Sequence, residues 1–216
     1  TVVFYLKRQL QGYHSLMSTS PISEEEHRRQ MQELQKQMHA KINAAKDKKD
    51  LLIVHTGNGK GKSTAAFGML ARMLGHNQPC AVIQFIKSGD HAIEKLLSSP
   101  RLKWHKVGDG FTWDTQNRAQ DVARCREGWA LACDYLSHGS VRLLILDELN
   151  IALAHQYLPV EEVIEALQKR SPGVHVVITG RDAPKPLIEV ADLVTEMKDI
   201  KHPFEAGVKA QLGIEF

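Results

Sequence analysis

The sequence predicts an α/β fold, an open and mostly parallel sheet with helices on both faces, joined to one N-terminal helix. Three observations carry this. Short apolar β-type runs alternate with helical patterns from Leu51 onward. These runs are mostly apolar, as in strands covered on both faces. One of them enters a glycine-rich turn that opens a helix. A chain of 216 residues has room for one such domain with a sizeable core, plus an appendage.

Residues 1–22 have no clear periodicity and stay unassigned. Ser23 and Glu26 then form a capping box, in which each side chain satisfies a free backbone N–H of a first helical turn. Met31, Leu34, Met38, Ile42 and Ala45 recur every three or four residues, a narrow apolar stripe on a charged helix running to about Lys46. Such a stripe docks on its own domain, a second subunit or a ligand. Asp47–Asp50 is a charged break and a hinge. The chain thus divides into three segments: 1–22, a helix and hinge over 23–50, and an α/β domain over 51–216. Strands are expected at Leu51–His55, Cys80–Ile86, Arg142–Leu146, Val174–Thr179 and Leu193–Glu196, with a weaker one at Lys103–Val107. Between them, Phe67, Leu70 and Leu74 mark a helix that Gly75 stops. Val122, Cys125, Trp129, Cys133 and Leu136 line one face of a long helix, and Val163, Ile164 and Leu167 lie on another.

Composition narrows the function classes. Twenty-eight Lys and Arg against 25 Asp and Glu are too balanced to point to a nucleic-acid partner. Cys80, Cys125 and Cys133 have neither CxxC spacing nor an even framework, and read as buried thiols of a reducing compartment. The 11 histidines lack zinc-ligand spacing. No apolar stretch is long enough to cross a bilayer, and Thr1–Leu6 runs straight into Lys7 and Arg8. The default location is the cytoplasm.

The strongest local signal comes after the first strand. Thr56, Gly57, Asn58, Gly59, Lys60, Gly61, Lys62, Ser63 and Thr64 make a glycine-rich turn into a helix. Backbone N–H groups of such a turn point inward at an anion, and the helix adds its positive end. Lys62 supplies a mobile charge for phosphate oxygens, and Ser63 or Thr64 a hydroxyl for Mg²⁺. In the usual pattern the first glycine falls where Thr56 stands; here Gly57 comes one place late and Lys60 adds a cation. A turn that merely joins strand to helix is the plain alternative. The sheet pattern with this loop makes the fold P-loop NTPase-like (RecA-like). Independently, Arg142–Leu146 ends in Asp147 and Glu148, so one of these carboxylates stands at the strand's C-terminal edge, where ligands bind in open sheets. Asp147 or Glu148 can hold Mg²⁺ or its waters. Further on, Gly108 and Gly110 flank a loop with Phe111 and Trp113, either a hydrophobic plug or a wedge for a flat ligand.

Thr56–Gly68, Gln84–Lys87, Gly110–Arg118, Leu146–Asn150, Thr179–Arg181 and Lys201–Phe216 occur in an order that resembles the CobA/BtuR-type ATP:corrinoid adenosyltransferases. The resemblance spans roughly residues 40–216. Ser63 and Ser88 depart from it, at positions where threonine and glycine are usual. It implies transfer of the 5′-deoxyadenosyl group of ATP to the Co(I) of a corrinoid such as cobalamin, with release of inorganic triphosphate. It implies a nucleotide lying reversed in the loop, with Mg²⁺ or Mn²⁺ as cofactor. It gives Phe111, Trp113 and Lys62 catalytic roles, the two aromatics displacing an axial ligand of cobalt. Arg72 and Arg181 match positions near the nucleotide, and Arg118 one near the corrinoid, though each also reads as an ordinary surface ion pair. It further implies a homodimer, a reducing flavoprotein as electron donor, and an N-terminal helix able to cover an active site. The rivals are a P-loop ATPase or kinase that cleaves the terminal phosphate, and a nucleotide-gated corrinoid carrier.

Overall fold

The computed structural model describes residues 22–86, 92–108 and 117–214. The chain divides into two compact units, Thr1–Lys49 and Asp50–Phe216. In the first, helix α1 spans Glu24–Ala44. Ser23 Oγ accepts the Glu26 N–H at 3.2 Å. The capping box is one-sided, because the Glu26 carboxylate turns forward to Arg29 and to Gln30. Met31, Met38 and Ile42 of the stripe are exposed.

The second unit is a six-stranded sheet in the order β3-β2-β4-β5-β1-β6. Its strands are β1 Leu52–Thr56, β2 Cys80–Gln84, β3 Leu102–Lys106, β4 Leu143–Asp147, β5 His175–Thr179 and β6 Leu193–Glu196. All pairs are parallel, so the sheet goes beyond the mostly parallel expectation. The weak signal at residues 103–107 is the edge strand β3, whose exposed Lys103 and half-buried Lys106 dilute its apolar pattern.

Side chains alternate across the sheet and give each face its own core. Helix α2, Lys62–Gly75, covers one face: its Ala66 and Leu70 pack with Ile53, Val82, Ile145 and Val177. The other face carries Leu52, Val54, Ile83, Leu146 and Ile178. Against it lie α4 (Arg118–His138), through Cys125, Trp129 and Leu136, and α6 (Val160–Gln168), through Val163 and Leu167. The short helices α3 (Ala92–Leu96), α5 (Leu149–Ala154) and α7 (Lys185–Val190) hold too few turns to leave a periodic signal. Asp50 fastens the entry to β1: its carbonyl accepts from Arg170 Nη2 and its carboxylate from the Gly173 N–H, each at 2.6 Å.

Cys80 and Cys125 are buried. Burial pushes their thiols up to about 11 and about 12, so they stay protonated and inert at neutral pH. Cys133 is half-buried, its thiol also raised by burial. Among the described residues no helix is long and apolar enough to cross a membrane.

Candidate active site

On the face covered by α2 the buried strand residues are apolar until the C-terminal ends, where a buried polar row begins. In the strand sequences LIVHT, CAVIQ, LLILD and HVVIT the last residue on this face is His55, Gln84, Asp147 and Thr179. Register brings these four together, since Gln84 is level with Asp147 and His55 with Thr179. All four are buried.

Hydrogen bonds link the row. Trp104 Nε1 donates to Gln84 Oε1 at 2.9 Å, and Gln84 Nε2 donates to Asp147 Oδ2 at 2.9 Å. Thr179 Oγ1 donates to Asp147 Oδ1 at 2.7 Å and accepts the Glu148 N–H at 3.0 Å. Asp147 is fully buried beneath these donors, while Glu148 is half-exposed in the turn that ends β4. Glu148 adopts φ 63°, the left-handed region that costs a non-glycine residue energy. Asn150 Nδ2 bridges the His55 carbonyl at 3.4 Å and the Gly180 carbonyl at 3.0 Å. Its own Oδ1 is buried without a hydrogen-bond partner among the described residues.

Thr56–Thr64 leaves β1 and opens α2 at Lys62. The chain after β6 clamps the outer side of this loop. Met197 N donates to the Thr56 carbonyl at 2.8 Å, and Gly59 N donates to the Met197 carbonyl at 2.7 Å. A Cβ on Gly57 would stand 2.4 Å from the Met197 oxygen, and one on Gly59 would stand 2.5 Å from the Lys198 oxygen. Gly57 also has φ +92°. The late first glycine thus has a packing reason. Thr56 is still a ladder residue paired with Glu196, its Oγ1 accepting the Ala183 N–H at 3.1 Å, and the close approach begins only at residue 57.

Lys62 is buried, and its ammonium donates to the Gly57 and Gly59 carbonyls at 2.7 Å each. His55 Nδ1 lies 3.2 Å from the Lys62 carbonyl and fixes the first turn of α2 to β1. Asn58, Lys60 and Thr64 are exposed, and Ser63 is half-buried.

The three arginines differ in position. Arg181 is exposed and comes directly after Gly180 at the end of β5, on the loop's edge of the sheet. Arg118 opens α4, donates to the Gln156 carbonyl at 3.3 Å and lies 5.8 Å from the Tyr157 ring centre. Arg72 is not brought to the loop. It is exposed in the last turn of α2, ten residues beyond Lys62, about 15 Å along the axis at 1.5 Å per residue. Phe111 and Trp113 lie outside the described residues. Sequence reasoning gave no role to His55, Gln84, Trp104, Asn150, Thr179 or Met197. The signal for three of them was present, a polar residue closing an apolar run in the same phase on successive strands.

A family model described as ATP:corrinoid adenosyltransferase BtuR/CobO/CobP matches residues 48–216. The chain is 45% identical over 204 residues to a corrinoid adenosyltransferase of Pseudomonas aeruginosa, covering 93% of this chain and 100% of that protein. It is 43% identical over 196 residues to the corrinoid adenosyltransferase of Escherichia coli K12, covering 90% and 100%. A Sinorhizobium corrinoid adenosyltransferase is 50% identical over 182 residues, covering 82% and 85%. With a phosphate loop and an acidic strand end on one sheet edge, and likeness along nearly the whole chain, this protein belongs to the ATP:corrinoid adenosyltransferase family.

Proposed function

We propose that this enzyme transfers the 5′-deoxyadenosyl group of ATP to the Co(I) of a corrinoid and releases inorganic triphosphate. The observation that carries the reading is the loop at Thr56–Thr64, a cradle with an ammonium already inside it, in a chain of this family.

The electron pair of Co(I) forms the bond to C5′, the C5′–O bond breaks, and its pair leaves on the triphosphate. Cobalt ends as Co(III). The nucleophile is the corrinoid metal itself, so the protein has to bind, align and stabilise. Lys62 trades its two carbonyls for phosphate oxygens, and the N–H groups opening α2 face the same anion. Gly59 N–H is committed to Met197, so it holds the loop's shape and not the phosphate. Among the described residues no three His, Cys, Asp or Glu side chains cluster. Two acids at most, with the Ser63 hydroxyl, suit Mg²⁺ (or Mn²⁺), which takes few protein oxygens and completes its shell with phosphate and water. The unpartnered Asn150 Oδ1 beside these groups adds a hard acceptor for one such water. Ser63 with Asp147 or Glu148 would hold the ion, whose charge then offsets the charge gathering on the leaving triphosphate.

The same reading places Phe111 and Trp113 under the corrin ring, with Arg118 at the corrinoid and Arg181 at the nucleotide. It takes a homodimer, a flavoprotein reductant and a cytoplasmic location with it.

Anaerobic incubation of the full chain with ATP, Mg²⁺ and chemically reduced cobalamin tests it. A light-sensitive alkylcobalt spectrum with one triphosphate per product is the expected result. ADP and phosphate without that spectrum would replace it by terminal-phosphate cleavage, and ATP-sensitive cobalamin binding alone by a carrier.

A further inference from the structure

We propose that Trp104 and Gln84 are positioning residues for the acidic turn Asp147–Glu148, acting through the buried chain of hydrogen bonds beneath it. This rests on reading the site as one for ATP with a divalent cation.

The direction of every bond in the chain is determined. An indole N–H only donates, so the 2.9 Å contact from Trp104 turns the oxygen of the Gln84 amide toward β3. The amide nitrogen then faces Asp147 Oδ2 at 2.9 Å. With the amide reversed, N–H would meet N–H at one end and carbonyl would meet carboxylate at the other. From the opposite side, the Thr179 hydroxyl gives its proton to Asp147 Oδ1 and keeps a lone pair for the Glu148 N–H. Donors therefore converge on one carboxylate from β2 and β5, and its remaining freedom is small.

That carboxylate anchors the residue next to it. Glu148 holds its left-handed conformation with its N–H tied to Thr179, and Thr179 is oriented by Asp147. Loosening Gln84 frees Asp147 to rotate, and the turn that presents Glu148 loses its reference. Trp104 reaches the other side of the site as well, its ring packing on Phe67 of α2 at 5.2 Å between centres. One indole thus contacts the helix that carries the phosphate loop and orients the strand end that carries the acids.

A purely structural role fits the pattern poorly. The same sheet face is otherwise built from Ile53, Cys80, Val82, Leu143, Ile145 and Val177, and apolar groups at Gln84 and Asp147 would extend that core without hydrogen-bond constraints. Buried polar groups replace them on this face only at the edge where the loop and the acids stand.

The test uses the full chain and ATP affinity by titration calorimetry, with Mg²⁺ and with EDTA, alongside urea unfolding. In Gln84→Leu and in Trp104→Phe we expect the Mg²⁺-dependent gain in ATP affinity to fall about tenfold, with metal-free affinity changing less than twofold. The double variant should be no worse than Gln84→Leu, because Trp104 acts through Gln84. Thr179→Val enters the chain from its other end and should reproduce the loss, while Thr179→Ser keeps the hydroxyl and restores it. Parallel loss with and without metal, multiplying losses in the double variant, or no metal dependence in the wild-type protein would each overturn the proposal. If the Gln84 variant does not fold, the Thr179 pair decides. A protein showing the expected pattern yet forming no alkylcobalt product would leave the relay standing and refute adenosyl transfer instead.

Discussion

At the scale of single residues, Lys62 shows how a binding group is kept ready without its ligand. A buried ammonium costs several kcal/mol unless it is hydrogen-bonded, and the Gly57 and Gly59 carbonyls supply two bonds from its own loop. Phosphate must outbid them. Replacing Lys62 by methionine keeps the length of the stem and removes the charge. Losing a hydrogen bond to a charged group is worth about 2 kcal/mol, so ATP affinity should fall roughly 30-fold in a calorimetric titration. Unchanged affinity would remove Lys62 from the site. Phe111 and Trp113 make a different demand. If they strip an axial donor from cobalt, Phe111→Ala or Trp113→Ala should slow turnover from Co(II) far more than turnover from chemically supplied Co(I). Equal losses in the two assays would end the wedge assignment.

At the scale of elements, the edge strand β3 carries a pH dependence of its own. His105 turns away from Trp104 toward α4, where its Nε2 lies 2.8 Å from the Tyr135 hydroxyl. Burial, and the charge of Lys103, hold this imidazole below its ordinary value. The unfolded chain therefore takes up the proton first as pH falls from about 7. The stability from neutral His105 is complete above the ordinary imidazole range and drains away as pH drops through it toward the folded value. His105→Gln keeps a polar partner for Tyr135 and cannot titrate, so its urea midpoint should fall less steeply than wild type between about pH 7 and 5.5. Parallel slopes would clear His105 of any part. The elements themselves were largely legible, since the six strands and the long helices declare themselves by apolar runs and by three-to-four-residue spacing. The short helices α3, α5 and α7 did not, and the β3 edge was faint because none of its five side chains is fully buried.

At the scale of the molecule, the boundary at Lys49 and Asp50 can be tested by where the chain is cut. A chain beginning at Asp50 keeps the carbonyl and carboxylate that hold Arg170 and Gly173 and should melt close to the full-length protein. One beginning at Leu52 loses both, along with the Leu51 N–H on His175 Nδ1. That should cost about 1–3 kcal/mol, or about 2–4 °C of Tm per kcal/mol in scanning calorimetry. Equal melting of the two would show that Asp50 anchors nothing. The site was legible only in part for a reason of the same scale. Loop and acids are local runs, readable one at a time, whereas the row of Gln84, Asp147, Thr179 and His55 exists only once β2, β4, β5 and β1 stand side by side in register. The strand order also sets a distance. Since β5 separates β1 from β4, two inter-strand spacings, roughly 10 Å, lie between the root of the loop and the root of the acids. The tip of β5 spans that interval, and Gly180 is what lets the chain leave it: at φ +130° it carries no Cβ, which would stand 2.9 Å from the Asn150 Cβ and 3.2 Å from Glu148 Oε2.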